Sequence, residues 1–264
     1  MKQRPGEKIK LKSVDELLGV SNEESNMDIP MEQIAPFKNH PFKVVDDDKM
    51  TELVESIKQN GVLTPVIVRP VDTGGYEMIS GHRRMHAAKQ AGLTAISAII
   101  RELDDDTATI VMVEANAQRE EVLPSEKAFS YKMKYEALKS QGIRSDLTSY
   151  HDGTKFRADE EVAKMVGESK NQVYRYMRLT EILPELLDMV DAGKLPIVPA
   201  VDMSYLDRQV QKLLYKFMQE NGVLKSYQVT AVRKYIEDNG NITELKLKQL
   251  FEDNMKGRSN RKVV

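Results

Sequence analysis

The sequence predicts an α+β chain: a small mixed-sheet domain comes first and an all-α domain with a helix-turn-helix follows. Three observations predict it. Short β-branched runs alternate irregularly with helical periodicity over the first half, without the strict alternation of a doubly wound sheet. After Pro124 every periodic segment has helical spacing. Two short segments near residues 158–179 meet at a glycine turn. The expected divisions are a flexible basic arm over 1–27, the mixed-sheet domain over 28–120, the helical domain over 121–238, and a C-terminal helix with a basic tail over 239–264.

Taken in order, Ile29–Ile34 reads as a short strand, with Pro36 and Pro41 punctuating the loop after it. Asp46-Asp47-Asp48 offers an N-cap for a helix over 49–59, which buries Met50, Leu53, Val54 and Ile57 and stops at Asn60-Gly61. Thr64–Arg69 is β-branched and short, a buried strand; Asp72–Gly75 turns, and Tyr76–Ser80 returns. A helix from Arg83 to Ala91 ends at Gly92, Ala95–Arg101 is a further strand, and a helix follows over 106–117 with Asp106 or Thr107 near its cap. A long helix spans 125–141. Residues 142–157 are polar with two glycines and read as a loop, and four or five shorter helices finish the chain.

Composition narrows the function classes. With 264 residues, 30% charged and 41% hydrophobic, the chain can form two modest cores under a well-solvated surface. No cysteine is present, which excludes disulfides, thiolate zinc sites and cysteine nucleophiles. No apolar run approaches the roughly 20 residues of a membrane span, and the N-terminus lacks the apolar core of a secretory signal, so a cytoplasmic protein without a membrane role is expected. Net charge is −2, yet cations gather at Lys2, Arg4, Lys8, Lys10 and Lys12, at Lys256, Arg258, Arg261 and Lys262, and between Lys170 and Arg178. Affinity for a polyanion depends on that placement rather than on the sum.

Ser80 and Gly81 stand at a strand-to-helix turn, where glycine lets the backbone approach a ligand. The first-turn N–H groups of the helix are unsatisfied by the helix itself, and its dipole favours an anion by about 1 kcal/mol. Arg83 and Arg84 add guanidinium forks that point different ways, so one faces a ligand while the other pairs elsewhere. Asn116, Gln118, Arg119 and Glu120 end a later helix with amide, carboxylate and guanidinium groups, the kind of oxygen chemistry magnesium recruits beside phosphates. Thr64 and Arg69 bracket the apolar strand and can reach a base or a phosphate. His82 and His86 have metal-ligand spacing, but without a third ligand they read as surface histidines.

Residues 158–167 form a short helix ending in Gly167, and Glu168–Asn171 leads into a second helix over 172–179. Ala163, Val166 and Val173 occupy the small or apolar positions that let two helices cross. Ser169 can cap the second helix, whose outer side presents Lys170, Asn171, Gln172, Arg175 and Arg178, side chains suited to base edges and phosphates in a major groove. Of Tyr174 and Tyr176, one is expected in the core and one on the DNA side.

Thr64–Arg69, Gly81–Lys89, Asn116–Glu120, Pro124–Ala128 and the helix-turn-helix, in that order and spacing, resemble the ParB family of partition proteins. The resemblance runs from about Ile29 to about Gln228. It implies a ParB/sulfiredoxin-like N-terminal domain that binds CTP with Mg2+, and two protomers closing as a clamp on DNA. Thr64 and Arg69 would border the cytidine. Ser80, Gly81, Arg83 and Arg84 would hold the phosphates, and Asn116, Gln118 and Arg119 would match the third nucleotide motif. Ser169, Lys170, Asn171, Gln172, Tyr174, Arg175 and Arg178 would face a palindromic double-stranded site. The family also implies a homodimer, and a ParA-type ATPase partner meeting the basic arm at residues 1–12. Two departures stand out. His82 replaces the family's glutamate before the arginine pair, and its glutamate-asparagine pair is Ala115-Asn116 here, with the carboxylate moved to Glu114. On a helix that step turns the side chain by about 100°. The metal set is then Asn116 with Glu114, and CTP binding with or without slow hydrolysis stays open. Also open are a transcriptional regulator on the same fold and an enzyme on the related sulfiredoxin-like fold. The missing cysteine removes the sulfiredoxin reaction, and no dense carboxylate cluster suggests a two-metal nuclease.

Overall fold

A computed structural model describes residues 26–117, 119, 122–148 and 158–259; side chains are described except over 143–148 and 252–259. The basic arm at residues 1–12, Gln118, Glu120 and the last part of the basic tail lie outside the described residues. The chain divides into two compact units. One takes in Met1–Glu121 and Met133–Ala158, the other Val122–Lys132 and Asp159–Val264.

The first unit is built on a five-stranded mixed sheet of order β1-β5-β3-β4-β2. Its strands are β1 (Met27–Pro30), β2 (Ile34–Ala35), β3 (Val66–Pro70), β4 (Tyr76–Ser80) and β5 (Ala95–Ile100). The single strand expected at Ile29–Ile34 is in fact two. Pro30 has no N–H for a ladder, and a 3-10 turn at Met31–Gln33 carries the chain from one edge of the sheet to the other. Thus β1 pairs antiparallel with β5, whereas β2 pairs parallel with β4. Strand β3 lies between β5, parallel, and β4, antiparallel.

Both faces of this sheet are covered, which explains why β3 and β5 read as apolar runs rather than alternating ones. Val66, Val68, Met78, Ile96 and Ala98 point to one face. They pack with Met50, Val54 and Ile57 of α1 (Asp48–Asn60) and with Met85, Ala87 and Ala88 of α2 (His82–Gln90). The intervening Ile67, Ile79 and Ile99 are also buried. Helix α3 (Asp105–Ala117), with Ala108, Val111, Met112 and Val113 buried, packs against β4. The caps are local. Asp47 accepts the Met50 N–H at 2.7 Å at the start of α1. The cap of α3 is Asp104, which accepts the Thr107 N–H at 2.7 Å, rather than Asp106 or Thr107.

Helix α4 (Pro124–Thr148) runs seven residues past the end of the expected 125–141, so the first part of the expected loop at 142–157 is helical. A single Gly142 costs a long helix only about 1 kcal/mol and does not end it. The helix belongs to both units, with residues 124–132 counted in the second and 133–148 in the first.

The second unit contains α5 (Ala158–Val166), most of which lies within it, and then α6 (Lys170–Leu179), α7 (Pro184–Asp191), α8 (Ile197–Met203), α9 (Arg208–Asn221), α10 (Ser226–Asn239) and α11 (Glu244–Ser259). That is more than the four or five helices expected, because Pro184 and Pro196 divide the run after α6 into short pieces that polar spacing alone does not separate. Leu179, Leu186, Leu195, Met203 and Leu214 are core residues. Buried Gln211 ties the bends together. Its Oε1 accepts the Leu183 N–H at 2.8 Å and its Nε2 donates to the Leu206 carbonyl at 2.9 Å.

Candidate functional site

Two groups of residues carry chemistry, one in each unit. The first begins at Gly81, between β4 and α2. Its φ of 108° lies in the left-handed region, and an added Cβ would stand 2.5 Å from Val66 Cγ1, so only glycine fits. Glycine supplies no capping side chain, and the first-turn N–H groups of α2 therefore keep their donor capacity for an outside acceptor. Ser80 ends β4 opposite Ile67, directly before this turn.

The two arginines do point apart. Arg83 Nη2 donates to Asp47 Oδ1 at 3.0 Å, and this contact, before the Met50 N–H, holds the Asp47 carboxyl below the usual carboxylate range. Arg84 Nη1 donates to the carbonyls of Thr64 and Pro65, both at 2.6 Å, and burial lowers its pKa. Arg84 thus fastens the lead-in to β3, and Thr64 is drawn to the turn through its backbone. His86 and Gln90, one and two turns along α2, both meet Asp46 Oδ1 at 2.8 Å, lowering that carboxyl as well.

His82 departs from the surface position expected of it. It stacks on His40 with ring centres 3.7 Å apart, and its Nε2 is 3.5 Å from the Phe37 N–H. Burial, then the neighbouring His40, pushes its pKa down to about 3, so the ring is neutral at ordinary pH. Because His86 faces Asp46 instead, the i, i+4 pair does not converge on a metal.

Segment 37–47 is what joins the turn to the end of α3. Besides His40 on His82 and Asp47 on Arg83, it offers the Lys43 carbonyl to Arg119 Nη2 at 3.4 Å, and Arg119 lies over the Phe42 ring at 5.9 Å. Asn116 Nδ2 donates to the Met112 carbonyl at 2.9 Å, which leaves Oδ1 as its acceptor.

Two residues expected at this site are committed elsewhere. Arg69 is paired across the strands with Glu77 at 2.6 Å and reaches Asp105 at 2.8 Å and the Leu103 carbonyl at 3.2 Å. That network joins β3, β4 and the start of α3 and leaves no fork for a nucleotide. Glu114 accepts from Lys134 Nζ at 2.8 Å, with the lysine only 1% exposed. A carboxylate neutralised by a buried ammonium is a poor metal ligand, and the described residues contain no cluster of three or more acidic or histidine groups. The residues fit a phosphate at the turn better than they fit Mg2+.

The second group is the helix-turn-helix. Gly167, at φ 69°, ends α5, and Ser169 Oγ accepts the Gln172 N–H at 3.2 Å to cap α6. Glu168, not singled out from the sequence, braces the turn by accepting from Lys127 Nζ at 2.9 Å and the Tyr131 hydroxyl at 3.2 Å. Burial, and then the Glu168 charge, raises the Tyr131 pKa above its ordinary range. Val173, Tyr176 and Leu179 are buried, and Tyr176 meets Tyr131 edge-on at 5.7 Å. Ser169, Lys170, Asn171, Tyr174 and Arg175 are exposed, and Gln172 is partly so. Tyr176 is therefore the core member of the tyrosine pair. Lys170 is bound to Glu160 of α5. Arg178 is drawn away from the outer side: its Nε donates to Ser204 Oγ at 3.1 Å and its Nη2 to the Ser204 carbonyl at 2.5 Å.

The sequence reading missed Asp46, Asp47, His40, Lys134 and Glu168 as partners at these sites. The three-aspartate run was a visible signal, but it looked like capping alone. The others act through tertiary contacts that no local pattern marks.

Comparison with known proteins gives a match to the ParB N-terminal domain over residues 16–117. The chain is 32% identical over 167 residues to the chromosome-partitioning protein Spo0J of Thermus thermophilus, covering 63% of this chain and 55% of that protein. It is 30% identical over 210 residues to a probable chromosome-partitioning protein ParB of Pseudomonas putida, covering 80% of this chain and 67% of that one. A similar solved structure is the C-terminally truncated ParB of Caulobacter crescentus complexed with CTP-gamma-S, at 26% identity and a TM-score of 0.34 over 71% of this chain and 97% of that one. The chain spans little more than half the length of the Thermus relative.

Proposed function

The chain belongs to the ParB family of partition proteins, and on that footing we propose that it is a site-specific DNA-binding partition protein with a CTP pocket at the Gly81 turn. The observation that carries the reading is the face of α6. It buries Val173, Tyr176 and Leu179 and turns Lys170, Asn171, Tyr174 and Arg175 outward from a serine-capped start. A helix so capped and so divided suits entry into a major groove, where Asn171 and Arg175 can bond base edges and the cations can meet phosphates. Two copies acting as a clamp would match a palindromic site.

The nucleotide half is supported by the uncapped start of α2, the glycine that nothing else can replace, and the polar segment 37–47 beside it. First-turn N–H groups would bond phosphate oxygens, and Arg83 would supply the charge by exchanging Asp47 for a phosphate. Arg119 and Asn116 would stand near the sugar or base. Cytosine as the base rests on the family resemblance. Because Glu114 is paired with Lys134, we assign binding and derive no hydrolytic step. A ParA-type ATPase would meet the basic arm, and the cargo would be a plasmid, a mobile element or a chromosome.

The test is equilibrium binding of CTP, ATP, GTP and UTP with and without pools of duplex DNA. A CTP preference that is lost in Arg83→Ala, together with enrichment of one duplex sequence, is the expected result. Indifference to every triphosphate overturns the pocket, and failure to enrich any sequence overturns site selection.

A further inference from the structure

The second unit carries a cationic feature beyond the α6 residues that point outward. Tyr205, just after α8, is 45% exposed. The guanidinium carbons of Arg178 and Arg233 stand 4.2 and 4.8 Å from the centre of its ring. Tyr174, an exposed residue of α6, neighbours Tyr205. Arg178 is fixed from behind by Ser204, through a hydroxyl and a carbonyl that bring no negative charge. Arg233, on α10, is half-buried; neither arginine is in an ion pair among the described residues, and the carboxylate influence on Arg178 is that of Glu181. Arg175, one turn before Arg178, is exposed.

Two guanidinium groups gathered over one ring repel each other. The ring offsets that by only about 0.5–1 kcal/mol per cation at an exposed site. Such an arrangement is relieved by an anion that the forks can reach, and planar forks held by stacking lose little freedom when they bind one. We propose that Arg178, Arg233 and Tyr205 form a phosphate-binding site for the DNA backbone, at the end of α6 opposite its serine cap. The ligand is a phosphodiester. The site fixes how α6 lies in the groove and reads no base, so it sets register rather than sequence. This inference rests on the proposal that α6 binds duplex DNA.

The experiment compares the full chain with Arg233→Gln, Tyr205→Leu and Lys234→Gln. Lys234 is the exposed neighbour of Arg233, and its variant removes the same charge outside the stack. Each is titrated with a random-sequence duplex and with a duplex that the unaltered protein has selected from a randomised pool, over a range of salt. Arg233→Gln and Tyr205→Leu are expected to weaken both duplexes by roughly tenfold and by the same factor. Arg233→Gln should also flatten the slope of log K against log salt by about 0.9, one phosphate contact. Lys234→Gln should change affinity far less. Should Arg233→Gln bind like the unaltered protein, or no worse than Lys234→Gln, the phosphate site is overturned while duplex binding by α6 stands. Should the unaltered protein bind neither duplex, the functional reading fails first and the site with it. If Arg233→Gln does not fold, Tyr205→Leu decides alone.

Discussion

Arg83 reaches the Gly81 turn already holding a carboxylate, and Asp47 serves two ends at once by also capping α1. Asparagine caps a helix about as well as aspartate but carries no charge. Asp47→Asn should therefore keep α1 intact, free Arg83, and tighten triphosphate binding several-fold in a calorimetric titration. Weaker binding in the folded variant would show that Arg83 does not face the phosphates. His82 gives a second prediction. Its folded ring resists protonation down to about pH 3, whereas the unfolded one takes its proton near its ordinary pKa of 6.5. The unfolded chain then binds the extra proton in between, so stability falls as pH drops through that window. Between pH 6.5 and 5 the loss attributable to His82 is roughly 1–2 kcal/mol. In His82→Phe, which keeps a ring against His40, urea denaturation should show that much less pH dependence. At this scale the sequence was a partial guide. Gly81 and the divergent arginines were legible because the turn is local. The partners of Arg69, Arg178 and Glu114, namely Glu77, Ser204 and Lys134, were not legible, because tertiary packing sets them.

Helices α3 and α4 meet within the first unit through Glu114 and Lys134. Burial lowers the lysine pKa while the carboxylate works against that shift. Removing one partner of such a pair strands the other charge in the interior. Glu114→Ala should cost about 3–5 kcal/mol, whereas Glu114→Leu with Lys134→Met should recover most of it, as measured by urea denaturation. A small loss in the single variant would mean that the ammonium finds water instead. Strands β3, β4 and β5 and helices α1 to α3 were legible nearly to the residue, since β-branched runs, glycine stops and aspartate caps mark them locally. The split between β1 and β2 was not, because both halves are apolar and only the pairing partners differ.

The whole chain has a net charge of −2, which hides the cations of α6 and of the Tyr205 cluster. The two sites draw on different residues in different units. Arg175→Ala should accordingly weaken the selected duplex by about 1–3 kcal/mol and leave triphosphate affinity unchanged, as read by fluorescence anisotropy and calorimetry. Loss of both in a folded variant would refute that independence. The α+β order and the helix-turn-helix were legible at this scale, since periodicity changes sharply after Pro124. The sharing of α4 was not, because nothing in a continuous amphipathic helix announces where its allegiance changes. That sharing bears on anyone dissecting the protein. The backbone passes between the units three times, so no single scission releases either half whole. A fragment ending at residue 121 would carry Glu114 with no ammonium to meet it, and one beginning at 122 would bring along a length of helix that belongs to the missing half.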